Sequence, residues 1–231
     1  MISESANVSC NICGGSTFAH GPGGRRSPTG KWPRCVQCGS LERHRALRRL
    51  MRRLPIEALD WRRGLQFSPD VSFRPDWFQS YEVSIYQGPG SLDLHEIARP
   101  DGCYDFVTLN MVLEFITDAK KGFRELLRIL SPLGLLQIGF ADAVGREECI
   151  EYPVAQGDHD AGQGYLRLFG RDLGTYFDLE RLGASFVALS ESDAVTGFRT
   201  YFHFFAKDSA ELEVLTRTQQ PQGSAVPVLQ S

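Results

Sequence analysis

From Gly64 onward, short apolar runs alternate with longer amphipathic ones. "GLQFSP" (64–69) reads as a buried strand ended by Pro69. "YEVSIYQG" (81–88) is a second strand, stopped by Gly88, and "YDFVTLNMV" (104–112) a third, rich in β-formers. In "TDAKKGFRELLRIL" (117–130), Ala119, Phe123, Leu126, Leu127 and Leu130 share one face, so the spacing predicts a helix. Thr117 caps it and "SPLG" breaks it. "GLLQIGF" (134–140) is another continuous apolar strand, and "ASFVALSES" and "FRTYFHFFAKDS" form a late antiparallel pair. The alternation predicts an α/β fold, a mainly parallel sheet with helices on both faces. Ligands of such sheets bind beyond the carboxyl ends of the strands.

Before Gly64 the pattern changes. Leu47, Leu50, Met51 and Leu54 recur at helical spacing after a capping Ser40, with Glu42 in the first turn and Pro55 as the stop. Arg45, Arg48, Arg49, Arg52 and Arg53 fill the other faces. That run reads either as a polyanion-binding surface or as a solvated face paired with acidic groups elsewhere. The absence of interleaved aromatics speaks for the second.

Charge sharpens the division. Residues 1–63 hold 12 basic and 4 acidic side chains, and the remainder 13 and 24, within a net charge of −3. The basic front admits a nucleic-acid partner, but the acidic rear argues against a long polyanion over the active face. Apolar residues make up 42 % of the 231, enough for a core, and no run approaches a membrane span. The first ten residues lack a basic start and an apolar segment, so the expectation is a cytoplasmic protein with reduced or metal-bound cysteines.

Cys10 and Cys13 form one C-x-x-C, and Cys35 and Cys38 another. Each pair fits a tight turn, with Gly14 and Gly39 behind it. Two such knuckles close a tetrahedron of thiolates, which suits zinc, with iron as the alternative. Four protein ligands leave no open position, so the site is structural. Cys103 and Cys149 have no partner pair and read as ordinary thiols.

The stretch "YDFVTLNMVLEFITDAKKGFRELLRILSPLGLLQIGF" resembles the second half of a class I S-adenosylmethionine-dependent methyltransferase. Asp105, Val112-Leu113-Glu114 and Arg124-Glu125-Leu126 stand at the positions of that pattern. The four-cysteine segment followed by "GSLERHR" is similar to the metal-binding head of one bacterial branch of the superfamily. The resemblance implies a Rossmann-like seven-stranded methyltransferase sheet, its last strand antiparallel, with a small N-terminal metal-binding ribbon. The boundaries expected are a ribbon over 1–40, a basic linker helix over 41–63, the methyltransferase-like domain over 64–210 and a flexible tail over 211–231.

The same resemblance implies a cofactor site at the strand tips. Its first loop is Phe67-Ser68-Pro69-Asp70, where the superfamily has glycines. The second strand's ribose-binding acid is replaced by Tyr86 or Gln87, which offer weaker neutral hydrogen bonds. Glu96 and Ile97 are expected beside the adenine, and Asn110 and Met111 in the pocket. The histidine that follows the branch's acid is Phe115 here, after Glu114, and the histidine of its later loop is Tyr165. The long stretch 141–172 reads as a lid. In it Arg167 is expected to grip a substrate carboxylate, and His159, Tyr165 and Glu114 are the catalytic candidates. The implied activity is methyl transfer from S-adenosylmethionine to a small molecule. The alternatives are a degenerate relative that binds a partner or intermediate, and a reaction of the cofactor other than methylation.

Overall fold

A computed structural model describes residues 3–4, 8–141, 143–156 and 164–219. The chain divides into two units. The first gathers 1–55, 70–74 and 190–200, and the second 56–69, 75–189 and 201–231.

The first unit starts with a three-stranded sheet, β1 (Ser3–Glu4), β2 (Thr17–Ala19) and β3 (Arg34–Cys35), with Phe18 opposite both Ser3 and Cys35. Its small core is Cys10, Phe18, Cys35 and Val195, with Trp32 packed alongside. Helix α1 (Glu42–Met51) follows. Its first turn is closed by the Leu41 N–H donating to His44 Nδ1 at 3.0 Å, whereas Ser40, the expected cap, faces the cysteine sulfurs. Leu47, Leu50 and Met51 are buried as the stripe requires. Arg45 and Arg48 are buried too, against the expectation of a solvated basic face. Arg45 meets Asp193, and Arg48 donates to the carbonyls of Val71, Ser72 and Phe73. Arg49 and Arg53 pair with Glu191. The pairing with acidic groups of the rear is therefore real; the Arg45–Asp193 pair is fully buried, whereas Arg49 and Arg53 stay exposed at their own ends.

The second unit is built on six strands in the order β10 (Ser185–Ser192), β11 (Arg199–Ala206), β7 (Leu130–Gly139), β6 (Tyr104–Asn110), β4 (Arg63–Phe67), β5 (Ser80–Ser84). The last two strands of the chain continue into segment 190–200 of the first unit. β5, β4, β6 and β7 are mutually parallel, and β11 runs antiparallel to β7, as expected. The strand count departs from the expected seven. Among the described residues the stretch 85–103 holds only an isolated bridge, Asp93 to Glu96, so β5 is the sheet edge. Helices are also scarcer than the alternation predicts. The crossover from β4 to β5 contains just one 3-10 turn, Pro75–Trp77.

Helix α2 (Ala119–Ile129) buries Ala119, Phe123, Leu126 and Leu127. Its cap is Asp118, whose carboxylate accepts the Lys121 N–H at 2.8 Å, and not Thr117. Leu130 opens β7 rather than closing the helix. Phe123 stacks on Phe177 of α3 (Leu173–Phe177) at 4.1 Å, and α4 (Leu179–Leu182) follows. A hairpin of β8 (Ile150–Gln156) and β9 (Tyr165–Leu168) lies within the long stretch read as a lid. Helix α5 (Ser209–Gln219) occupies the start of the segment expected to be a flexible tail, with Leu212 and Leu215 buried. Among the described residues no helix is long and apolar enough to cross a membrane.

Candidate functional site

The four cysteine sulfurs of the first unit lie within 4.8 Å of one another. Cys10 and Cys38 are 3.7 Å apart, and Cys13 and Cys35 3.5 Å. A tetrahedral zinc with sulfur at about 2.3 Å has edges of about 3.8 Å, so the donor set fits that ion. Both knuckles repeat one backbone pattern. The N–H of Gly14 donates to the Cys10 carbonyl at 2.7 Å, and that of Gly39 to the Cys35 carbonyl at 2.9 Å. Both glycines are left-handed, with φ 82° and 72°, a conformation glycine adopts at no steric cost. Cys10 N–H then donates to Gly15 O and Cys35 N–H to Ser40 O. Burial works to raise the Cys38 thiol, but the hydroxyl and N–H of Ser40 outweigh it and bring it down to about 7.

In the second unit, attention falls on the carboxyl ends of the parallel strands. Three non-glycine residues there have left-handed backbone: Ser68 after β4 (φ 64°), Gln87 after β5 (φ 57°) and Met111 after β6 (φ 58°). For L-residues this costs roughly 1–2 kcal/mol each. Such strain clusters at ligand sites. Two of the three are pinned to the neighbouring strand. Ser68 N–H donates to Ser84 O at 3.0 Å, and Met111 N–H to Gly139 O at 2.8 Å. Asn110 lies so close over β7 that a Cβ on Gly139 would come within 2.2 Å of its Oδ1.

The other expected cofactor residues divide. Phe67 is buried, while Pro69 and Tyr86 are exposed, Tyr86 by 74 %. Asp70 belongs to the first unit. Its carboxylate accepts from Ser72 N–H at 2.7 Å and stands 4.0 Å from His44 Nε2. Glu96 is a surface acid, and Ile97 is a core residue whose N–H donates to Glu125 at 2.9 Å.

The lid residues change the chemistry most. Arg167 is not open to a substrate. Its guanidinium donates to the carbonyls of Leu113 (2.6 Å), Ile116 (2.5 Å) and Thr117 (3.1 Å), and to the Glu151 carboxylate at 3.1 Å. It staples the loop after β6. Glu114, within that loop, is 1 % exposed. Its Oε1 accepts the Ala141 N–H at 2.9 Å, and its Oε2 has no partner among the described residues. Burial pushes this carboxyl up to about 7, against the Ala141 hydrogen bond and the charge of Arg167. Tyr165 stacks on Phe115, ring centroids 5.0 Å apart. Phe115 and Tyr165, the two positions that lack the histidines of the branch the sequence resembles, are therefore in contact as an aromatic pair. His159 lies outside the described residues.

Sequence reasoning missed Ser40, Arg45 and Asp193 as the surroundings of the cysteine cluster. Asp193 lies 148 positions from the arginine it meets, so no local pattern could have revealed it. The Phe115–Tyr165 pair had a signal, the matched loss of two histidines, once both positions were read together.

Residues 84–138 match the family described as "Methyltransferase domain". No curated protein matches the chain. Solved structures do. One is a Burkholderia thailandensis 1,6-didemethyltoxoflavin-N1-methyltransferase, with 1,6-didemethyltoxoflavin and S-adenosylhomocysteine bound. It is 12 % identical over 69 % of this chain and 76 % of its own, at TM-score 0.44. Another is an S-adenosylmethionine-dependent methyltransferase from Mesorhizobium loti, 15 % identical over 68 % and 94 %, also at 0.44. The matched segment lies in a Rossmann-like sheet, where β5, β4, β6 and β7 run parallel and β11 antiparallel to β7.

Proposed function

We propose that the chain transfers a methyl group from S-adenosylmethionine to a small molecule, and that its four cysteines hold a structural zinc ion. The observation that carries the cofactor reading is the row of left-handed residues, Ser68, Gln87 and Met111, after three adjacent parallel strands. Ser68 adopts the conformation for which the superfamily uses glycine, so the loop keeps its path without that residue. The cofactor, when bound, supplies an electrophilic methyl group. The chain's part is to hold two reactants in line and exclude water. The Phe67–Pro69 loop and Met111 hold the cofactor, and Tyr86 or Gln87 meets its ribose.

Glu114 Oε2 is the candidate to accept a proton from the substrate, because it is the carboxyl oxygen without a partner in that loop. The Phe115–Tyr165 stack offers a flat wall. His159 is the second proton-accepting candidate. With Arg167 engaged by three carbonyls, a carboxylate on the substrate has no assigned partner.

Calorimetric titration with S-adenosylhomocysteine tests the reading. Binding in the micromolar range is expected, and none up to millimolar concentration would overturn it. Gln87→Asp sharpens the test. A charge-assisted bond is worth roughly 1–2 kcal/mol more than a neutral one, so the variant should bind about tenfold tighter.

The neutral residues after β5, Tyr86 and Gln87, with Tyr86 exposed by 74 %, also favour a second reading, a methyltransferase-like protein that binds without methylating. Weak cofactor binding with no turnover against cell extracts would support it. Mass spectrometry of the products would separate methylation from another reaction of the cofactor.

A further inference from the structure

The geometry points to Ser40 as a positioning residue of the metal centre, its hydroxyl aimed at two of the four sulfurs by a buried arginine. This rests on the reading that the cysteines hold a metal. Ser40 is fully buried, and its Oγ lies 3.3 Å from Cys10 Sγ and 3.2 Å from Cys38 Sγ. These sulfurs come from different knuckles, so the hydroxyl spans the two halves of the site.

The knuckles have the same backbone hydrogen bonds, and Gly15 stands in the first where Ser40 stands in the second. A Cβ at Gly15 would meet Gln37 Oε1 at 2.9 Å, so a side chain there requires Gln37 to shift. The hydroxyl is thus an addition to one side of an otherwise repeated frame.

Arg45 decides which way that hydroxyl points. Its Nη1 donates to Ser40 O at 2.8 Å and to Ser40 Oγ at 3.4 Å. An oxygen that accepts an N–H has its own proton left to give, and the sulfurs are its other neighbours. Arg45 has no freedom to turn away. Nε and Nη2 donate to the two Asp193 oxygens, both at 2.8 Å, and Nη2 also to Pro33 O at 2.8 Å. Asp193 is itself fixed by Thr196 N–H at 3.0 Å and Thr196 Oγ1 at 2.8 Å. Four thiolates around a dication carry a net charge of −2. An O–H donor relieves electron density on sulfur, and partners of this kind typically change metal affinity by about 10- to 100-fold.

The experiment uses the full chain with zinc, competed against a chromogenic chelator, and with cobalt(II) exchanged for zinc. Ser40→Ala should weaken zinc binding by about tenfold or more. It should also move the sulfur-to-cobalt charge-transfer band to longer wavelength, because a thiolate without its hydrogen bond is the better donor. Ser40→Thr should restore both. Ser40→Gly gives the second knuckle the residue the first already carries, so it keeps the test independent of folding, and it should behave as Ser40→Ala. Zinc affinity within twofold of the wild type together with an unmoved band in both variants overturns the proposal, as does a failure of Ser40→Thr to restore them. A wild-type protein that binds neither zinc nor cobalt sinks the metal reading instead, and the proposal with it.

Discussion

Arg45 in the first unit and Arg167 in the second are both buried, their side chains 1 % and 4 % exposed. Their surroundings differ. Arg45 faces a carboxylate, Asp193, that is itself wholly buried, whereas Arg167 is taken up by three backbone carbonyls and by Glu151, which is 52 % exposed. The carboxyl groups near them respond accordingly. Burial works to raise Asp193, but the bonds and charge of Arg45 and the bonds of Thr196 hold it below the usual range. Burial raises Glu114, and the charge of Arg167 is too weak to reverse that. One arginine is half of an ion pair. The other is a fastening for a loop, and it leaves a neighbouring acid with its carboxyl raised to about 7.

The comparison breaks most visibly at the ion pair. Asp193→Asn strands a buried charge, and such a loss costs about 3–5 kcal/mol. The first unit should lose that much in urea unfolding, read by zinc release. The acid beside Arg167 gives the next largest effect. Glu114 rises from an ordinary 4.5 to about 7, so between those values the folded state holds more protons than the unfolded one. Stability of the second unit should therefore fall as pH rises from about 4.5 to 7, by up to roughly 3 kcal/mol, and level off above. Glu114→Gln should remove that slope, and a slope that persists would assign it to another group.

Arg167→Met deprives three carbonyls of their donor and should cost about 2–3 kcal/mol. It should also raise the Glu114 carboxyl further, moving the pH slope upward. Glu151→Ala should cost less than about 1 kcal/mol in thermal unfolding, because the pair is open to solvent on the Glu151 side. An equal loss from Glu151→Ala and Asp193→Asn would erase the distinction drawn between the two arginines.

The two residues also show what can be read from a sequence. Apolar periodicity depends on near neighbours, so the parallel strands and the buried face of α2 were legible, as were the knuckles at Gly14 and Gly39. Arg45 sits on a helix whose stripe was read correctly, yet its partner is a hairpin residue remote in sequence. Arg167 had the residue type of a carboxylate binder, but its donors go to carbonyls, which leave no mark in a sequence. The sparse crossover after β4 escaped for a related reason, since the alternation predicted helices on both faces and the resemblance a seventh strand, which residues 68–79 and 85–103 do not form. Helix α5 escaped because Leu212 and Leu215 offered two apolar positions beside a polar, proline-containing tail. The candidate site was legible as a place, the tips of the strands, more than as a set of roles.

The core of the first unit has a consequence for how the protein is made. Val195 packs with Cys10, Phe18 and Cys35, and Asp193 closes on Arg45. Both leave the ribosome more than 150 residues after Cys38. At roughly 5–20 residues per second, that interval is about 8–30 s. During synthesis the four thiols are complete as a ligand set long before the residues that cover them exist. If the thiols take up the proposed zinc ion, the interval is a window for loading it, and equally for oxidation, before the last hairpin arrives.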